Sequence, residues 1–156
     1  MKLLLPLVLV LGIGAAPPLE RIEMTAQSWG RPVSQWSIDA AGHGTHTKPD
    51  PGVFNAKRMV TRRIAVGRAG YAKIRSLLAK AKPWAGRELP CTRRITDQVY
   101  GNVRWVREKT AELRFDNGCG DAEARAVLEA LRRADHQVAA WSAKAPIAEI
   151  KQVESQ

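Results

Sequence analysis

Short stretches of alternating apolar and polar residues dominate this chain, and two longer stretches with helical spacing interrupt them. The clearest alternation predicts a strand at 111–116, where Ala111, Leu113 and Phe115 share one face and charged residues share the other. The same pattern predicts strands at 19–28, 35–40, 54–66 and 99–105. Because each strand has only one apolar face, the sheet needs a covering layer on that side.

Two amphipathic helices are predicted to form that layer. The first runs from Tyr71 to Ala81 and ends at Pro83. The second begins after Asp121, a good N-cap residue, and ends before Pro146. The order βββ-α-ββ-α predicts an α+β fold, with an antiparallel sheet of about five strands, two helices on one face and one disulfide.

Two segments are predicted to lie outside the regular elements. Residues 45–52 are polar and contain Pro49 and Pro51, which are unfavourable in a central strand, so we expect a loop. Residues 147–156 follow Pro146 and are expected to form a flexible polar tail.

The N-terminus has the pattern of a secretory signal. Lys2 precedes an apolar run from Leu3 to Ile13, and small residues suited to signal peptidase follow, with cleavage expected after Ala15 or Ala16. A membrane anchor is the alternative, but a spanning helix needs about 20 apolar residues and this run is shorter. We therefore expect a signal peptide at 1–16, a single domain at 17–146, and a periplasmic or secreted product without a membrane span.

The chain contains two cysteines, Cys91 and Cys119. In an exported protein such a pair is typical of one disulfide. A cysteine nucleophile is the alternative, but the chain has no local Cys–His signature for it.

The formal net charge is +10 at pH 7. A solvated basic surface explains this charge, and electrostatic binding of anionic envelope polymers is the alternative. No specific nucleic-acid partner is expected. The cations occur as short pairs and not as a long run: Lys57-Arg58, Arg62-Arg63, Arg93-Arg94 and Arg132-Arg133.

The segment from Gly42 to His46 resembles the histidine motif of subtilisin-like serine proteases, which would make His43 a general base. The serine motif of that family is missing, and the chain is too short for the family's core. His43 and His46 are also weak candidates for metal binding, but two histidines alone make a poor site. We expect the pair in a turn, with no metal and no cofactor.

No assembled catalytic constellation is evident, so we assign no catalytic residues. A small hydrolase using Asp97, Tyr100 or His43 stays open as an alternative. Trp29 and Trp84 lie in connections beside Gly30 and Pro83, and exposed aromatic residues near arginine are typical of binding surfaces. Core packing is the alternative for each of these tryptophans, and Trp29, Arg31 and Trp84 are the candidate binding surface.

The region around the cysteines resembles a group of small exported proteins of Gram-negative bacteria that have no assigned activity. The resemblance covers residues 20–146. It implies export, the disulfide and a bacterial envelope setting, but no chemistry. We expect a non-enzymatic domain that binds an envelope protein, as an inhibitor or adaptor. The residues that carry the resemblance are Leu89-Pro90-Cys91, Thr96-Asp97, Tyr100-Gly101, Val103, Trp105 and Gly118-Cys119.

Overall fold

The computed structural model describes residues 20–153, so the signal peptide expected at 1–16 lies outside the described residues. Seven strands form one antiparallel sheet, with the spatial order β6-β5-β1-β2-β3-β4-β7. Within residues 20–153, two α-helices interrupt the strands. The elements are β1 (Arg21–Ser28), β2 (Arg31–Asp39), β3 (His43–Asp50), β4 (Arg58–Ala65), α1 (Gly67–Leu77), β5 (Tyr100–Val106), β6 (Ala111–Asp116), α2 (Ala122–Ser142) and β7 (Ile147–Gln152).

One face of the sheet carries the core. Alternate residues of the central strands are buried there, as the strand period requires, and Ile22 pairs with both Ile38 and Trp105 across the sheet. Helices α1 and α2 contribute their apolar stripes to the same cluster, through residues such as Ile74 and Leu131. We call this side the helix face and the opposite side the open face.

The α+β class and the disulfide are confirmed, but the prediction of about five strands in the order βββ-α-ββ-α is wrong. The observed order is ββββ-α-ββ-α-β. Residues 43–50, assigned to a turn and a loop, form β3, and residues 147–152, assigned to a flexible tail, form the edge strand β7. Among residues 20–153, no helix is long and apolar enough to cross a membrane.

Strand β3 was not predicted from the sequence because it has almost no alternation of apolar and polar residues. Only His46 is buried along its length. Pro49 is tolerated because β2 pairs with β3 only from Gly44 to Thr47, so the proline lies beyond that ladder and faces β4 alone. The rule against proline in a central strand therefore does not apply at this position.

The disulfide joins Cys91 to Cys119, with their Cα atoms 5.2 Å apart. It ties the long connection before β5 to the turn that follows β6. Asp121 occupies the N-cap position of α2, as predicted, but its carboxylate binds Thr92 instead of the helix. It accepts hydrogen bonds from the Thr92 backbone N–H at 2.6 Å and from the hydroxyl at 2.7 Å, and the hydroxyl bond is the main cause that lowers the pKa of Asp121.

Candidate functional site

A tryptophan occupies the tip of the β1–β2 hairpin. Trp29 and Gly30 form the two-residue connection, with φ angles of 52° and 70°. Two positive φ angles are typical of a type I′ turn, in which Asn-Gly is the favoured pair. A bulky side chain in this left-handed region is unusual, and Trp29 is 66% exposed. Neither the backbone nor the core therefore explains a tryptophan at this tip.

The loop between β3 and β4 lies beside this hairpin. A guanidinium N–H of Arg31 donates a hydrogen bond to the carbonyl oxygen of Phe54 at 3.4 Å. The Phe54 ring is 69% exposed. Trp29, Arg31 and Phe54 line one cavity of about 720 Å³, together with Gly30, Pro32, Pro49, Val53, Asn55, Ala56, Lys57, Met59 and Val153.

A third exposed aromatic residue adjoins the hairpin from the other side. The Tyr100 hydroxyl accepts a hydrogen bond from the Gly30 backbone N–H at 3.2 Å, and the side chain is exposed. Tyr100 begins β5, directly after the connection that the disulfide ties down. We call the group Trp29, Arg31, Phe54, Lys57 and Tyr100 the aromatic surface.

The charged residues of the aromatic surface are both cationic. Arg31 and Lys57 line the cavity beside the aromatic rings, and no carboxylate among residues 20–153 lines it. Within the described residues, neither cation has an acidic partner at salt-bridge distance. An apolar ligand with negative charge would therefore meet uncompensated cations here.

Trp84 does not share the cavity that Trp29 and Arg31 line. It ends a short 3-10 turn after α1, where it is half-buried and packs against the core. The Arg87 guanidinium covers its ring, 4.6 Å from the centroid. The structure thus brings together two of the three residues proposed as a binding surface, and it adds Phe54 and Tyr100.

The two neighbouring histidines point in opposite directions. They lie three residues apart on β3, so His43 is exposed while His46 is buried on the helix face. The prediction of a turn at these histidines is wrong, because they lie in β3, and the two rings do not form a shared metal site. Across the part of the chain that the structure describes, no three His, Cys, Asp or Glu residues are grouped closely enough to hold a metal ion.

His46 belongs to a buried polar network that links the sheet to α2. Its Nε2 lies 3.1 Å from the Ser34 hydroxyl, which donates to the Asp135 carboxylate at 2.6 Å. The Trp36 indole N–H donates to the same oxygen of Asp135 at 3.1 Å. Since the Ser34 proton points to Asp135, the Ser34 oxygen accepts from Nε2–H, which places the imidazole proton on Nε2.

The other nitrogen of His46 faces Ser142 at the end of α2. The Ser142 hydroxyl lies 2.6 Å from Nδ1 and 3.3 Å from the Ala139 carbonyl oxygen. Because Nε2 carries the ring proton, the hydroxyl donates its one proton to Nδ1, which is the nearer acceptor. A serine bound to a histidine resembles part of a hydrolase site. However, burial lowers the pKa of His46 to about 4, so the imidazole is a weak base at neutral pH. The pair is better suited to hydrogen bonding than to activating a nucleophile.

Of the hydrolase candidates Asp97, Tyr100 and His43, the last two lie far apart in the sheet. Tyr100 pairs with Gln27 at one end of β1, whereas His43 lies near the opposite end of the sheet, beyond the Ile22 position. Five residues of strand separate these ends by about 17 Å.

The arginine pairs are also dispersed. Arg62 and Arg63 lie on β4, but Arg93 and Arg94 lie beside β6, at the other side of the sheet. Five inter-strand spacings separate β4 from β6, which is about 24 Å. Their separation counts against one continuous basic patch.

The contacts made by Phe54, Ser34 and Ser142 were not predicted from the local sequence. An aromatic residue in a proline-rich loop is a signal that could have identified Phe54. No local pattern marks the serines, since Ser34 and Asp135 are 101 residues apart in sequence. Comparison of the chain with known protein families, with curated proteins and with solved structures finds no match.

Proposed function

We propose that this protein is an exported, non-enzymatic binding domain that docks an acidic, partly apolar segment of another envelope protein on the aromatic surface. In this role the domain would act as an inhibitor or adaptor of that envelope protein. The proposal deepens the expectation from the sequence and replaces Trp84 with Phe54 and Tyr100.

The exposed tryptophan in the left-handed turn is the observation that carries the proposal. Asn-Gly would suit this hairpin better than Trp29-Gly30. Conformational strain at an exposed position suggests a role outside the fold. Tryptophan, tyrosine and arginine are also the residues most enriched at binding hot spots.

The chemistry of the aromatic surface indicates which kind of partner segment it can bind. Phe54 and Trp29 supply apolar area, while Arg31 and Lys57 supply positive charge, and no carboxylate in the described part of the chain lines the same cavity. An acidic segment with at least one apolar side chain complements both properties. The affinity should depend partly on salt, but apolar burial should retain binding at high salt.

Export is supported by the n-region, apolar run and small residues at 1–16, and by the disulfide, which is typical of oxidising compartments. Expression of the full chain in a Gram-negative host, followed by mass spectrometry of the periplasmic product, tests this part. A product that begins at Ala16 or Pro17 supports export. An uncleaved chain in the cytosol contradicts it.

The docking test compares Trp29→Asn with wild type, using the disulfide-bonded protein immobilised on beads and envelope extract at low and high salt. The matched control is Arg68→Ala, an exposed residue on α1 outside the aromatic surface. We expect one stoichiometric protein that wild type and the control retain at high salt and that Trp29→Asn loses. The purified partner is then titrated by calorimetry against Arg31→Ala, which should weaken binding about tenfold.

Two results would contradict the proposal. Equal retention by Trp29→Asn and wild type would place the interface elsewhere. Heterogeneous anionic material that salt removes from all variants would favour the alternative of electrostatic polymer binding.

A further inference from the structure

A second cavity lies on the helix face, between the C-terminal end of α2 and strands β3, β4 and β7. It is separate from the aromatic surface and has a volume of about 260 Å³. We infer that this groove binds a small carboxylate that carries a short apolar chain.

The apolar wall results from an irregularity in β7. Arg62 pairs with Ile147 and Thr61 pairs with Glu149, so Ala148 has no residue opposite it. This extra residue brings Ile147 and Ile150 to the same face of the strand, although an odd spacing would otherwise place them on opposite faces. Both side chains line the groove, although each is about half exposed. Val60 of β4 completes the apolar wall.

The floor of the groove is polar and fixed in position. It consists of His46 and Ser142, which are 1% and 4% exposed and are hydrogen-bonded to each other at 2.6 Å. The network through Ser34 and Asp135 holds the imidazole from behind. A preorganised floor of this kind reduces the entropy lost when a ligand binds.

The rim carries an excess of positive charge. Lys48, Arg58 and Arg62 line the groove, and Asp50 is the one carboxylate among the described residues that lines it. Asp50 is already bound to Arg58 at 2.6 Å, whereas Lys48 and Arg62 have no carboxylate at salt-bridge distance among the described residues. The carbonyl oxygen of Ala145 holds one guanidinium nitrogen of Arg62 at 2.6 Å. The other guanidinium N–H groups and the Lys48 ammonium are suited to receive a carboxylate.

The volume sets the size of the ligand. The groove, of about 260 Å³, is smaller than the roughly 300–1,000 Å³ of most small-molecule sites, so a ligand with a short chain suits it. Hexanoate, with a carboxylate and a five-carbon chain, fits this limit and serves as the probe. Hexanamide has the same size and shape but no charge, so it isolates the contribution of the carboxylate.

The test titrates hexanoate and hexanamide into the disulfide-bonded protein and follows the methyl NMR signals of Ile147 and Ile150. We expect saturable, millimolar binding of hexanoate that shifts these signals, and binding of hexanamide that is weaker by about tenfold. Arg62→Gln should weaken hexanoate binding about tenfold. Arg63→Gln is the matched control, because the neighbouring side chain has the same charge but points to the open face, and it should change affinity less than twofold.

Four outcomes overturn the inference. These are no saturable binding of hexanoate, equal affinity for hexanamide, equal losses in Arg62→Gln and Arg63→Gln, or signal changes confined to the aromatic surface. If Arg62→Gln does not fold, Lys48→Gln tests the same charge from another strand.

Discussion

At the residue scale, Trp29 is proposed to favour partner binding at a cost to the stability of the fold. The residue adopts φ 52° in a turn that favours asparagine, and about two thirds of its side chain is exposed. A left-handed conformation costs a bulky residue about 1 kcal/mol or more. If Trp29 contacts a partner and does not stabilise the fold, its replacement should raise the free energy of unfolding.

We therefore expect Trp29→Asn to raise the free energy of unfolding by about 0.5–1 kcal/mol while it abolishes partner binding. Urea denaturation of the variant and wild type measures the first effect. A loss of stability greater than 1 kcal/mol would instead identify Trp29 as a packing residue.

His46 makes a second prediction at this scale, on pH. Burial lowers the pKa of the folded imidazole to about 4, and the Lys48 charge acts in the same direction, whereas the Asp135 charge opposes it. In the unfolded chain the pKa is near 6.5, so as the pH falls below 6.5 the unfolded state takes up the proton first. The stability contribution is complete above pH 6.5 and is lost progressively between pH 6.5 and 4, by about 3 kcal/mol.

Denaturation curves at intervals from pH 7 to 4.5 measure this loss in wild type and in His46→Gln. The variant should lack that part of the pH dependence, because glutamine does not titrate. His43→Gln removes an exposed histidine from the same strand and is the matched control. Identical pH slopes in wild type and His46→Gln would show that His46 is not responsible.

At the element scale, two backbone contacts fix how β3 enters the sheet. Gly42 has φ 84°, and its carbonyl accepts a hydrogen bond from Val66 N–H at 2.9 Å, which ties the β2–β3 turn to the end of β4. A Cβ atom on Gly42 would lie 2.0 Å from the carbonyl oxygen of Gly67. Gly67 itself has φ 66°, but a Cβ there would meet open space.

These two glycines form a matched pair for mutation. Gly67→Ala should cost about 1–2 kcal/mol, which is the left-handed penalty alone. Gly42→Ala adds a clash with backbone that has no room to yield, so the loss should exceed 3 kcal/mol. Urea denaturation of both variants measures the difference. Equal losses would mean that the turn and the helix start move apart easily.

The elements also show how far one sequence can predict this fold. Helices α1 and α2 were predictable because an apolar stripe repeats over many residues, although α1 spans Gly67–Leu77 and not Tyr71–Ala81. The strand at 111–116 was predictable because its alternation is clear. Strand β3 could not be predicted, because a single histidine is its one buried residue. Strand β7 could not be predicted either, because all six of its residues are exposed. Of the site, Trp29 and Arg31 were identified from the sequence, but their contact with Phe54 depends on tertiary packing.

At the scale of the whole molecule, the disulfide connects stability to the aromatic surface. Cys91 lies within the connection that leads to Tyr100, and Cys119 precedes α2, whose N-cap residue Asp121 binds Thr92. The sequence separation is 28 residues, for which chain entropy gives about 3.5 kcal/mol of stabilisation. In a domain of this size the total free energy of unfolding is about 5–15 kcal/mol.

Replacement of both cysteines by serine should therefore lower the free energy of unfolding by about 3.5 kcal/mol. Binding should weaken only several-fold, because Trp29 and Phe54 are positioned by β1, β2 and the 51–57 loop, and only Tyr100 follows the disulfide-tied connection. Trp29→Asn should have the opposite profile, with stability gained and binding lost. Urea denaturation and calorimetry on both variants test the contrast. If loss of the disulfide abolishes binding in protein that is still folded, the 91–99 connection itself is the interface.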